Sequence, residues 1–310
     1  MRMALYFGLA AVLVGAAATH SVAGEDAPPL VLVGYLPEYR LEAWSPAEKT
    51  PLTDLIYFGL VPAEDGGANV ETIATTALEK LRTAKKTSGC RVLLCAGGWN
   101  RSQGFAALTA SPAARKRFIQ EAGEFCRKHG FDGIDYDWEH PEGAEQRAAY
   151  AMLLRETHEA FAPQKRLVTI AIPAWVELPK EAYAAVDRVH LMSYDQPFPH
   201  STLDLLKEDV ARLRRGGCPA SKIVAGVPFY GRNKGGDART YAELTKAGMP
   251  AKNDMLDGYA LNSPETLRRK VRFVREQKLA GLMVWEIAQD SSDPRLSLMN
   301  VLDAALKSMK

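Results

Sequence analysis

Apolar, β-branched-rich runs recur along the chain at Leu30 to Leu36, Asp54 to Leu60, Arg91 to Ala96, Gly133 to Trp138, Leu167 to Ile172, Val186 to Met192, Lys222 to Pro228 and Ala280 to Trp285. Short runs of this kind read as strands buried on both faces, as in a parallel sheet. Between them the polarity switches to the 3.6-residue period of amphipathic helices, at Ala113 to His129, Glu145 to Phe161, Leu203 to Arg215 and Pro264 to Gln277. The first helix carries its own punctuation: Ser111 as N-cap, Pro112 at the first helical position and Gly130 just past the end. Repeated strand–helix alternation predicts an α/β protein, a single (β/α)8 TIM barrel of about 250 residues.

No Ser/Gly/Pro linker or low-complexity tract divides the chain, so one domain is expected. The longest weakly patterned stretch, Arg232 to about Asn262, lies between the seventh strand and the last long helix. It is read as room for an active-site loop, too short for a separate folded domain.

Ahead of the first strand, Met1-Arg2-Met3 leads into an apolar run from Ala4 to Ala18, followed by the small residues Ser21-Val22-Ala23-Gly24. That layout is a secretory signal peptide. The run falls short of the roughly 20 residues that span a bilayer, which disfavours the competing reading of an uncleaved anchor. Cleavage is expected near Ala23 or Gly24, leaving 25–310 as the catalytic barrel of a secreted or periplasmic protein with no membrane association after processing.

With 39 basic against 37 acidic residues and no basic stripe, charge gives no reason to expect nucleic acid or an anionic membrane as partner. The four cysteines, Cys90, Cys95, Cys126 and Cys218, include no Cys-x-x-Cys and no histidine at ligand spacing, so neither a metal nor another cofactor is expected. They read as buried or partly paired thiols. Cys90 and Cys126 both fall near the bottom face, which leaves a bridge between them open.

Candidate chemistry concentrates in Phe131-Asp132-Gly133-Ile134-Asp135-Tyr136-Asp137-Trp138-Glu139-His140-Pro141. Side chains alternate across a strand, so Asp135, Asp137 and Glu139 share one face while Ile134, Tyr136 and Trp138 share the other. The apolar set packs under the helices, which puts three carboxylates in a barrel interior normally filled with Val, Ile and Leu. Unpaired buried carboxylates are penalised by several kcal/mol, so folding alone does not favour this arrangement. Asp135 and Asp137 are expected to share a proton and raise each other's apparent pKa. Glu139, nearest the C-terminal mouth where barrel active sites are built, is suited to be a general acid. Asp132 faces the other way and reads as a turn or capping residue.

A retaining glycosidase with two carboxylates needs its nucleophile across the sugar ring from the acid, about 5–5.5 Å away. Three carboxylates on one strand suit that geometry poorly. A substrate-borne group such as the carbonyl oxygen of a 2-acetamido sugar is the alternative nucleophile.

Asp132-Gly133-Ile134-Asp135-Tyr136-Asp137-Trp138-Glu139 resembles the signature of glycoside hydrolase family 18, the chitinases and endo-β-N-acetylglucosaminidases. The resemblance continues through Val33-Gly34-Tyr35, Cys95-Ala96-Gly97-Gly98, Met192-Ser193-Tyr194-Asp195, Gly226-Val227-Pro228-Phe229-Tyr230-Gly231-Arg232 and Trp285. It implies substrate-assisted hydrolysis with Glu139, Asp137, Asp135 and Tyr194 as catalytic residues. Trp285, Asp195, Met192, Tyr35, Gly98, Trp99 and Arg232 would bind chitin or another N-acetylglucosamine-containing oligosaccharide. Duller roles compete: barrel core for Trp285, an interior hydrogen-bonded tyrosine for Tyr194, and surface packing for Trp99 and Trp175.

The family's strand-three motif usually starts with Ser, whose hydroxyl joins the tyrosine at the position of Tyr35 in hydrogen-bonding the innermost aspartate. A thiol is a weaker donor, so Cys95 implies a higher apparent pKa for Asp135. Processive exo-type relatives carry an α+β insertion between strands seven and eight for which this chain lacks the length, implying an open groove and endo-type cutting; a monomer is expected. An endo-β-N-acetylglucosaminidase acting on N-glycans or peptidoglycan would use the same catalytic residues, and a chitin-binding lectin of this fold typically lacks the acid.

Overall fold

The computed structural model describes residues 29–45, 50–246 and 253–308, so the leader read at 1–24 lies outside the described residues. A closed parallel barrel is built from β1 (Val31–Pro37), β2 (Asp54–Leu60), β3 (Arg91–Gly97), β4 (Gly133–Asp137), β5 (Leu167–Ile172), β6 (Arg188–Leu191) and β7 (Ile223–Pro228). Four short strands follow, β8 (Tyr230–Arg232), β9 (Ala238–Thr240), β10 (Met255–Leu256) and β11 (Tyr259–Ala260), before β12 (Gly281–Trp285) closes the barrel between β7 and β1. The helices are α1 (Thr75–Ser88), α2 (Phe105–Ala110), α3 (Pro112–His129), α4 (Gly143–Phe161) and α5 (Lys180–Ala184). They continue with α6 (Leu203–Arg215), α7 (Tyr241–Leu244), α8 (Pro264–Glu276) and α9 (Leu298–Lys307). The expected (β/α)8 barrel is therefore the architecture observed.

Each expected barrel strand is present to within about two residues. The weakly patterned stretch departs from the loop expected there: β8 to β11 form an antiparallel sheet in the order β10-β11-β8-β9, packed beside the mouth without amounting to a domain. Helix α3 starts and stops where the sequence says. The Ser111 hydroxyl accepts from the Ala114 amide at 3.3 Å, Pro112 opens the helix, and Gly130 takes φ +76° with its N–H on the Cys126 carbonyl.

Apolar packing divides in two. Residues facing the helices, among them Leu55, Leu94, Ile134, Tyr136, Ile170 and Leu282, form the main core. Inside the barrel lies a smaller cluster of Val33, Tyr35, Ile56, Phe58, Leu93, Cys95, Ala171, Val224 and Met283. It is interrupted by polar layers. At the bottom, Asp54 is clasped by Arg91 and Arg188, with N–O distances of 2.7 and 2.8 Å. Asp132 joins Lys85 of α1 at 2.7 Å and accepts from the Val92 amide of β3 at 2.8 Å, contacts that link a helix to a strand where the sequence suggests a turn or capping role.

All four cysteines are buried free thiols, so the bridge left open between Cys90 and Cys126 is not formed. Each points to a different carbonyl, Cys90 to Ala84 at 4.0 Å and Cys126 to Gly133 at 3.7 Å.

Candidate active site

Strand β4 sends Asp135 and Asp137 inward, with Glu139 following them at the mouth. They form a graded column: Asp135 is 0% exposed, Asp137 2%, and the Glu139 side chain 14%. The opposite face is anchored as expected. Tyr136 bonds Thr157 at 2.8 Å, and Trp138 stacks on Phe105 at 5.3 Å between ring centroids. That packing fixes the strand's rotation and so aims the carboxylates.

Asp135 is held by three donors. Tyr35 Oη donates to Oδ2 at 2.7 Å, Thr169 Oγ1 donates to Oδ1 at 2.5 Å, and His190 Nδ1 lies 3.1 Å from Oδ1. Burial pushes this carboxyl up, but His190 and the hydrogen bonds outweigh it and leave its pKa below the usual value. One expectation is thereby corrected. Asp135 is not raised by sharing a proton symmetrically with Asp137; its net shift is downward, with Cys95 beside it in register.

Asp137 behaves oppositely. Burial first, then the neighbouring Glu139 and Asp135 charges, raise its pKa well above the carboxylate range. Its Oδ1 has no hydrogen-bond partner among the described residues. Glu139 is pushed up to about 7, mainly by burial and secondarily by Asp195, against a backbone hydrogen bond from Trp99. A carboxyl poised there is protonated in mild acid and still able to give up its proton, the requirement for general acid–base work.

Above the column opens a cleft of about 740 Å³. Asp137, Glu139, Met192, Tyr194, Asp195, Arg232, Trp285 and Trp99 line it, so the structure brings together most of the residues singled out by sequence. Trp285 sits at its base, edged by Phe58 and Tyr35 at 5.4 and 5.5 Å between centroids. Trp99 and Trp175 are 70% and 53% exposed on the rim, aromatic faces open to a ligand. Tyr35 and Gly98 do not line the cleft. Tyr35 is buried beneath Trp285, and Gly98, at φ +106°, donates its N–H to the Asp137 carbonyl at 2.6 Å. A Cβ at Gly98 would fall 2.0 Å from the Phe58 ring, so only glycine lets these elements approach.

Sequence reading passed over His190, Thr169, His140 and Tyr39. Alternation along Arg188-Val189-His190-Leu191-Met192 aims His190 inward with Met192, and that period was the available signal for it. His140 and Tyr39 sit on cleft walls outside any strand, where no periodicity marks them.

A one-strand carboxylate column under an aromatic-floored cleft is the geometry of a sugar-cleaving site, and residues 31–290 match the family model for glycosyl hydrolases family 18. The chain belongs to that family. It is similar to chitinase 1 of Aphanocladium album, 30% identical over an alignment of 290 residues, with 72% of this chain and 68% of that protein covered. A probable chitinase 10 of Drosophila melanogaster is 28% identical over 73% of this chain, which spans only 13% of that longer protein. Among solved structures, a family 18 chitinase from the chitin utilization locus of Flavobacterium johnsoniae superposes with a TM-score of 0.80 at 25% identity, covering 91% of this chain and 95% of that one. This family 18 member is accordingly a glycoside hydrolase of the chitinase type. No helix among the described residues is long and apolar enough to cross a membrane.

Proposed function

We propose that this protein is a secreted, retaining, endo-type chitinase that cleaves β-1,4 linkages between N-acetylglucosamine residues with help from the substrate's own acetamido group. The observation that carries the reading is the contrast within the column. Glu139 titrates near neutrality at the mouth, while directly beneath it Asp137 is buried, raised and unpartnered at Oδ1. Such an Asp137 is a proton donor waiting for a polar group that the protein does not supply, and a sugar's acetamide meets that need.

In the proposed reaction Glu139 gives its proton to the glycosidic oxygen as the bond to the anomeric carbon breaks. The acetamide oxygen forms a bond to that carbon from the other face, giving an oxazolinium ion. Asp137 orients the acetamide, the single negative charge of the Asp135–Asp137 pair, which shares one proton, balances the positive charge developing on the acetamide nitrogen, and the Tyr194 hydroxyl hydrogen-bonds the carbonyl oxygen. Glu139, now a carboxylate, removes a proton from water as the water opens the oxazolinium with net retention. Trp285 provides the floor for the sugar's apolar face. Asp195, Met192 and Arg232 line the same subsite, with Trp99 on the rim.

Endo-type cutting is supported by the modest size of the sheet formed by β8 to β11, four strands of two or three residues each. The test is mass spectrometry of products from N-acetylglucosamine hexamer and, in parallel, a high-mannose glycopeptide. Dimers, trimers and tetramers from the hexamer are expected. An intact hexamer with the glycan released from the peptide would transfer the assignment to the N-glycan core.

A further inference from the structure

His190 is 1% exposed on β6, and its ring reaches across the barrel interior to the innermost aspartate. Nδ1 lies 2.9 Å from Tyr35 Oη and 3.1 Å from Asp135 Oδ1, while Nε2 has no hydrogen-bond partner among the described residues. Proton counting assigns the tautomer. Tyr35 has one hydroxyl proton, and it is committed to Asp135 Oδ2 at 2.7 Å. Both atoms that face Nδ1 are therefore acceptors, so Nδ1 carries the hydrogen and serves them together.

The other groups around the pair do not compete for this role. In register, β5 and β7 place uncharged Ala171 and Val224 beside His190. Other titratable neighbours are Cys95 on β3, whose thiol burial and the adjacent aspartates hold protonated, Asp137 on β4, and Tyr150 on α4, whose hydroxyl is raised by burial and by the aspartates and donates to the Tyr136 carbonyl. Asp135 accepts from Tyr35, Thr169 and His190, with the Cys95 thiol as a further, weak partner, whereas Asp137 Oδ1 has no hydrogen-bond partner among the described residues. When two carboxyls share one proton, it resides on the one with fewer donors.

We propose that His190 is a positioning residue whose Nδ1–H keeps Asp135 an acceptor-only carboxylate, so that the proton of the Asp135–Asp137 pair resides on Asp137, which can then donate a hydrogen bond to the substrate's acetamide. The inference rests on the acetamide-assisted reading given above. It also accounts for Cys95: with a donor reaching Asp135 from β6, the weak thiol donor on β3 is tolerated.

Three variants and one measurement on the parent protein test this. His190→Leu keeps the volume and removes the donor, so Asp135 becomes easier to protonate. The acidic limb of kcat should then move up by about one pH unit, with kcat about tenfold to a hundredfold lower and KM nearly unchanged. His190→Asn places an amide N–H at the position of Nδ1 and should restore most of both. In the parent protein, nitrogen NMR of the labelled histidines, six in the full sequence, should show a buried ring protonated at Nδ1 that is missing from His190→Leu. A folded His190→Leu with the parental pH profile, or a His190 ring bare at Nδ1, overturns the proposal. Glu139→Gln run alongside separates the two ideas. If it abolishes turnover while His190→Leu behaves like the parent, the enzymatic reading stands and the role of His190 falls. If it turns over normally, the reading itself falls and this inference with it.

Discussion

Arg232 and Asp195, on segments that follow β7 and β6, meet at 2.5 Å from Nε to Oδ1. Tyr230 Oη donates to the same oxygen at 2.6 Å, which fixes a rim carboxylate whose backbone stands at φ +59°. Asp195 is thereby held as a charge facing Glu139, where it adds to burial in raising the Glu139 pKa to about 7. Asp195→Asn removes that charge and keeps the shape. The Glu139 pKa should fall, and because the acid acts when protonated, activity should be lost at lower pH. A downward shift of the alkaline limb of kcat by up to about one pH unit is expected. The profile is measured on chromogenic N-acetylglucosamine oligomers, and an unmoved alkaline limb would show that Glu139 does not feel this charge.

Replacing the acid itself is a harsher test. Glu139→Gln leaves a hydrogen-bonding side chain with no proton to transfer, so kcat should fall about a hundredfold to ten-thousandfold. Oligosaccharide affinity by calorimetry should stay close to the parent's, since the amide matches the carboxyl in shape. Residual activity should also lose the alkaline limb near pH 7 that Glu139 imposes in the parent. Near-parental turnover would remove Glu139 from its proposed role.

Asp137 contributes a hydrogen-bond donor and its share of the negative charge of the Asp135–Asp137 pair, and an amide supplies only the first. Asp137→Asn should lower kcat by at least about a hundredfold while the circular dichroism spectrum stays unchanged. The partner experiment alters the substrate: β-1,4-glucosyl oligomers without the acetamido group should be cleaved barely or not at all. Efficient hydrolysis of them, read by chromatography, would rule out assistance by the substrate.

The barrel was legible in sequence because every strand is covered on both faces, so apolar runs of ordinary length mark them without any need for alternation. The segment holding β8 to β11 was not, since strands of two or three residues are too short to carry a period. The carboxylate column could be read because three acids at alternate positions conflict with an apolar interior. His190 conflicts with that interior too, but a single histidine in a strand has an ordinary explanation as a satisfied core residue. Only its position against Tyr35 and Asp135 distinguishes it. The direction of the Asp135 shift has a related reason: beyond Tyr35, the donors that lower it come from β5 and β6, far from β4 in sequence.

Asp54 offers a prediction about stability that leaves the chemistry aside. It is 1% exposed at the bottom of the barrel, opposite the mouth. Arg91 approaches Oδ1 at 2.7 Å and Oδ2 at 3.0 Å, Arg188 reaches Oδ2 at 2.8 Å, and the Thr53 hydroxyl donates to Oδ2 at 2.7 Å. These contacts tie β2 to β3 and to β6 across the interior. Asp54→Ala would leave Arg188, whose side chain is 12% exposed, as a cation without its counter-charge. Breaking one side of a buried pair typically costs about 3–5 kcal/mol. Urea denaturation should show a loss of that order, and kcat of the folded variant should remain within about twofold of the parent. A double variant, Asp54→Leu with Arg188→Met, replaces the charges by apolar groups of similar volume and should recover much of the loss. If the single variant is as stable as the parent, the clasp is a surface-like ion pair and the bottom of the barrel is held by apolar packing alone.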